Sequence, residues 1–169
     1  MLTRCVDYND RNTCVLFGDG AGAMIIEPAK LPVTPVHFFT ASACDPDNAL
    51  TVIKDRIRMD GQKVYAFAVN AVETAIRHIL FAAAMTLDDI EVVIPHQANI
   101  RIIQSVARAL DVPLHKFFVN IRDYGNTSAA SIIIALDEYR DYHPEAKGKR
   151  ALLVGFGGGF TWGSAIITL

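Results

Sequence analysis

The pattern of apolar and polar positions predicts a chain in which helices alternate with short strands. The clearest helix is predicted over residues 61–84, where apolar side chains recur at helical spacing and Lys63 and Glu73 fall off the apolar stripe. Two more helices are predicted over 98–110 and from 125 to about 142. Strands are predicted at 13–17, 23–26, 36–43, 91–94, 117–121, 151–154 and 161–168, with the stretch 51–59 ambiguous. This alternation is typical of an α/β protein with helices packed on a sheet.

Glycine-rich and proline-rich stretches separate several of these elements. The motif Gly18-x-Gly20-x-Gly22 predicts a tight reversal where two backbones come close, and prolines over 28–35 predict an extended connector within one domain. A dinucleotide-binding loop needs a helix directly after its glycines. Strand-like residues follow both this motif and the run 155–159, which disfavours nucleotide binding. Three successive glycines still allow a backbone to approach a ligand closely.

Two predicted strand-to-helix turns carry the candidate chemistry. His96 follows a buried strand within Pro95-His-Gln-Ala-Asn99, and Asn126 follows the next predicted strand within Gly125-Asn-Thr127. Each has an ordinary interpretation, since a histidine can simply pack or cap and an asparagine is a common helix N-cap. The alternative is that neighbouring strand ends bring both side chains to one point, where ligands of open α/β sheets bind. Two N–H donors converging on a carbonyl oxygen would form an oxyanion hole.

Composition narrows the classes of function. The chain has 169 residues, of which 51% are hydrophobic, and a net charge of −2, so we expect a folded domain with no preference for nucleic acid or a membrane surface. No apolar stretch approaches the roughly 18–20 residues of a membrane span. Three cysteines, Cys5, Cys14 and Cys44, show no CxxC spacing, which suits a reducing cytoplasm and argues against a disulfide framework or a metal site. A mean hydropathy of +0.26 indicates apolar surface that something else covers.

Four stretches, in this order and at this spacing, resemble one family. They are Phe17-Gly-Asp-Gly-Ala-Gly-Ala23, Pro95-His-Gln-Ala-Asn-Ile-Arg-Ile102, Tyr124-Gly-Asn-Thr-Ser-Ala-Ala-Ser131 and Gly155-Phe-Gly-Gly-Gly-Phe-Thr-Trp-Gly-Ser-Ala165. They are similar to the C-terminal half of β-ketoacyl-acyl carrier protein synthase III, a condensing enzyme of the thiolase fold. The resemblance implies one thiolase-like domain over 1–169, with a mixed five-stranded sheet and helices on its faces. It also implies a partner N-terminal half that carries the nucleophilic cysteine, a homodimer, and little activity from this chain alone.

The resemblance also implies a reaction and roles for individual residues. The family condenses an acyl group from acyl-CoA with malonyl-acyl carrier protein by decarboxylative Claisen condensation, at the start of fatty acid synthesis, and needs no cofactor beyond these thioesters. By resemblance, His96 and Asn126 are the catalytic histidine and asparagine, which would stabilise the enolate. Gly158 would lend its amide to the acyl oxyanion hole, beside Phe156.

The substrate-binding residues are implied in the same way. Asn99 would contact the pantetheine arm, and Arg101 would dock the acyl carrier protein, unless Arg101 is only a solvated residue on a helix face. Two alternatives stay open within the fold: a non-catalytic thiolase-like subunit, and a related acyltransferase with another acceptor. A nucleotide-binding domain would instead require a helix after Gly22 or Gly159.

Overall fold

A computed structural model describes residues 2–26 and 35–169. The helices are α1 (Gly61–Ala82), α2 (Ile100–Ala109), α3 (Ile121–Tyr124) and α4 (Ala130–Tyr142). The strands are β1 (His37–Ser42), β2 (Leu50–Ile53), β3 (Arg56–Met59), β4 (Val92–Pro95), β5 (Arg150–Gly157) and β6 (Thr161–Thr168). Short 3-10 turns cover Leu2–Cys5, Leu87–Asp89, Leu114–Lys116 and Pro144–Ala146.

The main sheet is mixed and has the strand order β1-β6-β5-β4. Strands β4 and β5 are parallel, with Pro95 opposite Val154, whereas β5–β6 and β6–β1 are antiparallel. Strands β2 and β3 form a separate two-stranded hairpin. The sheet thus places the end of β4 beside the middle of β5, and the residues after β4 emerge next to the glycine-rich end of β5.

Helices cover the two faces of the sheet unequally. Helix α1 begins at the N-cap Asp60, whose carboxylate accepts hydrogen bonds from the Gln62 and Lys63 amides, and it packs on β1, β5 and β6. Helix α4 packs on the opposite face, mainly against β4 and β5. Alternate residues of β4 therefore enter different cores: Val93 packs under α1 and α2, while Ile94 packs under α4.

The expected α/β class and mixed sheet are confirmed, and helix 61–84 and strand 161–168 are found almost as predicted. The number of strands is corrected, because the main sheet has four strands within the described residues and not five. Residues 13–17 form turns, and only Phe17 pairs, through a single bridge to Asn126. An apolar run becomes a strand only where a neighbour supplies a ladder, and here none does.

Several other predicted boundaries also move. Residues 23–26 form no regular element and have no ladder partner, and 117–121 contributes only the bridge from Phe117 to Val93 before α3 begins. Residues 51–59 lie in the β2–β3 hairpin, and β5 continues to Gly157 through part of the predicted glycine turn. Helix α4 starts at Ala130 and not at Gly125. The proline connector 28–35 lies almost entirely outside the described residues.

The exposed surface includes several large apolar side chains. Ile25 is 95% exposed, Ile26 87% and Phe38 79%. Phe38 lies on the sheet face opposite α1, beyond the part of that face that α4 covers. These exposed side chains account for part of the high mean hydropathy. No helix of the described part of the chain is both long and apolar enough to cross a membrane.

Candidate active site

The loop that follows β4 places His96 at the carboxyl end of the parallel strand pair. The backbone amide of His96 donates to the Val154 carbonyl over 2.7 Å, which extends the β4–β5 ladder by one residue. The imidazole Nδ1 lies 2.6 Å from the Ser131 Oγ, and the ring packs edge-on against Phe156 at 5.3 Å between centroids. Burial lowers the pKa of His96 from 6.5 to about 4, so the ring is neutral at pH 7.

The loop before α4 places Asn126 by a different set of contacts. Its backbone amide donates to the Leu16 carbonyl, and its carbonyl accepts from the Gly18 amide, each over 2.9 Å. Its side-chain Oδ1 accepts from the Ser128 amide over 2.9 Å. Asn126 therefore forms a local turn and does not cap α4, which begins four residues later. With Oδ1 engaged, the Nδ2 group is the part of the carboxamide left to donate elsewhere.

One cavity of about 840 Å³ brings these two loops together. Both His96 and Asn126 line it, next to Phe156, Gly157 and Gly158 at the end of β5. Its remaining wall is largely apolar and comes from the β2–β3 hairpin, α1 and the first segment of the chain, including Leu2, Leu16, Phe17, Leu50, Val52, Ile57, Met59 and Val64. The cavity thus combines a largely apolar wall with side-chain N–H donors at one end.

The end of β5 shapes the cavity because it has little side-chain bulk there. A Cβ on Gly158 would lie 3.1 Å from the Leu50 carbonyl oxygen, tighter than ordinary contact. The turn that follows is fixed by Phe67 of α1, which stacks on Phe160 at 3.8 Å between centroids and meets Phe156 edge-on at 6.1 Å. Helix α1 therefore sets the position of the glycine turn, and the glycines keep its backbone accessible.

The two residues implied for substrate binding have different positions. Asn99 lines the cavity, and its Oδ1 caps α2 by accepting from the Arg101 amide over 2.9 Å. The Arg101 side chain is exposed on α2 and is not part of the cavity wall. Among the cysteines, Cys5 lines the cavity, whereas Cys44 is exposed elsewhere.

Two buried polar residues near His96 escaped the sequence analysis, which gave them no role. Gln97 is 1% exposed; its Nε2 donates to the Pro95 carbonyl over 2.9 Å and the Phe118 carbonyl over 3.1 Å, and its Oε1 accepts from the Asn120 amide over 3.2 Å. Ser131, also 1% exposed, holds His96 from α4. Both residues lie within the quoted motifs, but their partners are distant in sequence. The available signal was the polar side chain of Gln97, which lies in a turn between two apolar elements.

The structure also bears on the nucleotide-binding alternative. Strand β6 follows Gly159, and residues 23–26 after Gly22 form no helix, so neither glycine motif leads directly into the helix that such a site requires. The sequence predicts a tight reversal over residues 18–22, but the structure has no turn there. The predicted close approach of backbones is present, because a Cβ on Gly18 would lie 2.1 Å from the Tyr124 carbonyl oxygen.

Comparison with known proteins agrees with this architecture. Residues 80–169 match the family model described as 3-oxoacyl-[acyl-carrier-protein (ACP)] synthase III C terminal, and residues 1–42 match the model described as 3-oxoacyl-[acyl-carrier-protein (ACP)] synthase III. A β-ketoacyl-[acyl-carrier-protein] synthase III of Acholeplasma laidlawii is 48% identical over 168 residues, which cover 99% of this chain and 53% of the relative.

Solved structures show the same likeness. The crystal structure of 3-oxoacyl-[acyl-carrier-protein] synthase III from Aquifex aeolicus superposes with a TM-score of 0.93 at 39% identity and covers 99% of this chain and 55% of that one. The corresponding Thermus thermophilus structure gives 0.86 at 34% identity, covering 99% and 56%. The fold is that of the thiolase-like α/β proteins. Within that class the chain belongs to the 3-oxoacyl-[acyl-carrier-protein] synthase III family. It spans about half the length of the curated relatives it matches.

Proposed function

We propose that this chain forms the decarboxylation side of a β-ketoacyl-acyl carrier protein synthase III active site. The observation that carries the proposal is that His96 and Asn126, from two separate loops, line one cavity with an otherwise largely apolar wall. The low pKa of His96 adds support, because a neutral imidazole can donate one hydrogen bond without placing a buried positive charge in the site.

In the proposed step, malonyl on an acyl carrier protein loses its carboxylate as CO₂. The electron pair of the broken C–C bond forms an enolate, and negative charge develops on the thioester oxygen. His96 Nε2–H and Asn126 Nδ2–H donate hydrogen bonds to that oxygen. The largely apolar wall makes both hydrogen bonds stronger than they would be in water.

The carbanion then attacks the acyl thioester held on a cysteine of the partner N-terminal half. A new C–C bond forms, and the cysteine thiolate leaves with the electron pair of the broken C–S bond. Gly158 donates its amide to the acyl oxygen during this attack, and Phe156 lines the site beside it. The small size of Gly158 supports this role, since a side chain there would press against Leu50. We propose that this chain does not condense the substrates without that second half.

In this proposal the pantetheine arm of each substrate enters the cavity past α2. Asn99 already uses its Oδ1 as the α2 cap, so only its Nδ2 is available to the pantetheine arm. Arg101 stands outside the cavity on the exposed face of α2, a position from which its guanidinium can meet an acidic carrier protein.

The proposal is tested by His96→Ala and Asn126→Ala, each made in the chain joined to an N-terminal half that carries the nucleophilic cysteine. Decarboxylation of malonyl-acyl carrier protein should fall about 10²–10³-fold for each variant, because one oxyanion donor is lost. Acyl transfer from acyl-CoA to the cysteine should change little. Both rates are measured separately, by CO₂ release and by mass spectrometry of the acyl-enzyme.

His115→Ala is the matched control, since His115 is exposed in the 3-10 turn Leu114–Lys116 and does not line the cavity. This control should retain both activities. Unchanged decarboxylation in the His96 and Asn126 variants would favour the non-catalytic subunit instead. Equal loss of both steps would assign the two residues to structure.

A further inference from the structure

Ser131 is the second residue of α4, and its hydroxyl is enclosed between two groups of the His96 loop. Its Oγ lies 2.6 Å from the His96 Nδ1 and 3.2 Å from the Gln97 amide nitrogen. The residue is 1% exposed, so water does not compete for the hydroxyl. The protons around this oxygen must therefore be shared among these three groups.

The number of protons decides the direction of each hydrogen bond. A backbone amide only donates, so the Ser131 Oγ accepts from Gln97. The hydroxyl carries one proton of its own, and among the described residues the His96 Nδ1 is the remaining polar atom within hydrogen-bonding distance. If Nδ1 carried a proton, two donors would face Oγ and the serine proton would be buried without an acceptor. The hydroxyl therefore donates to Nδ1, and the neutral ring carries its proton on Nε2.

We propose that Ser131 is the positioning residue that holds His96 as the Nε2–H tautomer. The catalytic consequence rests on the proposed function, in which Nε2–H is the donor to the enolate oxygen, but the tautomer itself does not depend on that function.

The same serine also links the two proposed donors. The Asn126 Oδ1 accepts from the Ser128 amide over 2.9 Å, and the Ser128 carbonyl accepts from the Ser131 amide over 3.1 Å. Ser131 then donates from its hydroxyl to His96. Three consecutive hydrogen bonds thus connect the carboxamide of Asn126 to the imidazole of His96 through the first turn of α4. Ser131 sets the orientation of the ring and ties it to the loop of the second donor.

The direct test is ¹⁵N NMR of the protein labelled on its histidines, with the resonance of His96 assigned by its loss in His96→Gln. In the unmodified protein near pH 7, Nδ1 should show the shift of an unprotonated ring nitrogen and Nε2 that of a protonated one. Ser131→Ala should produce a mixture of both tautomers. A protonated Nδ1 in the unmodified protein, or unchanged tautomers in Ser131→Ala, would overturn the inference.

Ser164→Ala serves as the matched control, because Ser164 is also buried but donates to the Ala75 carbonyl over 3.1 Å. It removes a buried hydroxyl without touching His96, so the tautomer should stay the same. Ser131→Thr keeps a hydroxyl and should restore the Nε2–H form. The measurement on the unmodified protein needs no substitution at Ser131, so a Ser131 variant that fails to fold leaves the inference testable.

Activity provides a second readout in the chain joined to its N-terminal half. Ser131→Ala should lower kcat for decarboxylation about 10–100-fold, by analogy with the loss seen when the hydrogen-bond partner of a metal-bound histidine is removed, while KM changes little. A shifted tautomer with unchanged decarboxylation would support this inference and overturn the proposed function. A shifted tautomer with the expected loss would support both.

Discussion

The two loops that carry His96 and Asn126 reach the same cavity but are held by different parts of the molecule. The His96 loop continues the β4–β5 ladder, and the buried side chain of Gln97 holds it by hydrogen bonds to backbone carbonyls. The Asn126 loop is fastened mainly by the first segment of the chain, through Leu16 and Gly18. One donor therefore depends on the core of the sheet, whereas the other depends on a segment with little regular structure. A perturbation chosen well should move one donor and spare the other.

The largest effect is expected from Gly18→Ala. A Cβ here would lie 2.1 Å from the Tyr124 carbonyl oxygen, so the segment must move away and break its bonds to Asn126. The free energy of unfolding should fall by about 3 kcal/mol, the upper end of the usual cost of overpacking. Urea unfolding measures this loss. In the folded variant, the Asn126 side-chain amide resonances should shift while those of His96 stay in place.

Gly61→Ala is the control for Gly18→Ala. Gly61 begins α1, and the nearest atom that a new Cβ would meet is 3.9 Å away. Its stability should be unchanged or slightly increased, because alanine is a better helix former than glycine. A loss in Gly18→Ala no larger than in Gly61→Ala would show that the first segment does not hold the Asn126 loop.

Gln97→Leu tests the attachment of the His96 loop, with a smaller expected loss of stability than Gly18→Ala. Leucine fills most of the volume but leaves the Pro95 and Phe118 carbonyls and the Asn120 amide without partners. The loss of stability should be about 2 kcal/mol, the cost of leaving one buried donor, the Asn120 amide, unsatisfied, because unpaired carbonyl oxygens are better tolerated than unpaired N–H groups. Here the His96 resonances should shift, and the Asn126 side chain should be less affected. Equal disturbance of both loops would mean that they are one rigid unit.

The smallest effect concerns pH. The folded pKa of His96, about 4, lies below its ordinary value of 6.5, so the unfolded chain binds more protons between these two values. His96 therefore makes stability fall as pH drops through that window and leaves it unchanged well above 6.5. From pH 7 to pH 6 its contribution should be a decrease of less than about 1 kcal/mol. Urea unfolding of the protein and of His96→Gln at both pH values isolates it, and an identical pH dependence in the two proteins would contradict the burial of the ring.

The sequence predicts the parts of the fold whose stabilising contacts follow a local period. Helix α1 is recovered because its stripe of buried residues repeats every three or four positions, and β6 because it lies in a long ladder. The stretches 13–17 and 117–121 are apolar but pair only at single residues, Phe17 and Phe117. The apolar side chains of 23–26 are exposed and pair with no strand. A strand is defined by its neighbour, and a single sequence does not name that neighbour.

The candidate site was predicted in part for the right reason. His96 does follow a parallel strand, at the carboxyl end where ligands of open α/β sheets bind. Asn126 does not, because α3 and a turn separate it from the bridge at Phe117, yet it lines the same cavity. The roles of Gln97 and Ser131 were missed, since a buried hydrogen-bond network joins residues far apart along the chain. Pattern analysis favours apolar periodicity and gives little weight to an isolated polar residue inside the core.

The alternation of Gly18, Gly20 and Gly22 has a consequence for how the first segment finds its place. Each absent side chain faces the region where α4 begins, where a Cβ would collide with Tyr124, Thr127 or Ile133, while Asp19 instead receives hydrogen bonds from Thr3. A slip of one residue would drive Asp19 and Ala21 into that contact, because successive side chains of an extended chain point to opposite sides. The three glycines therefore allow the segment to pack in one register, and steric clashes exclude the adjacent registers.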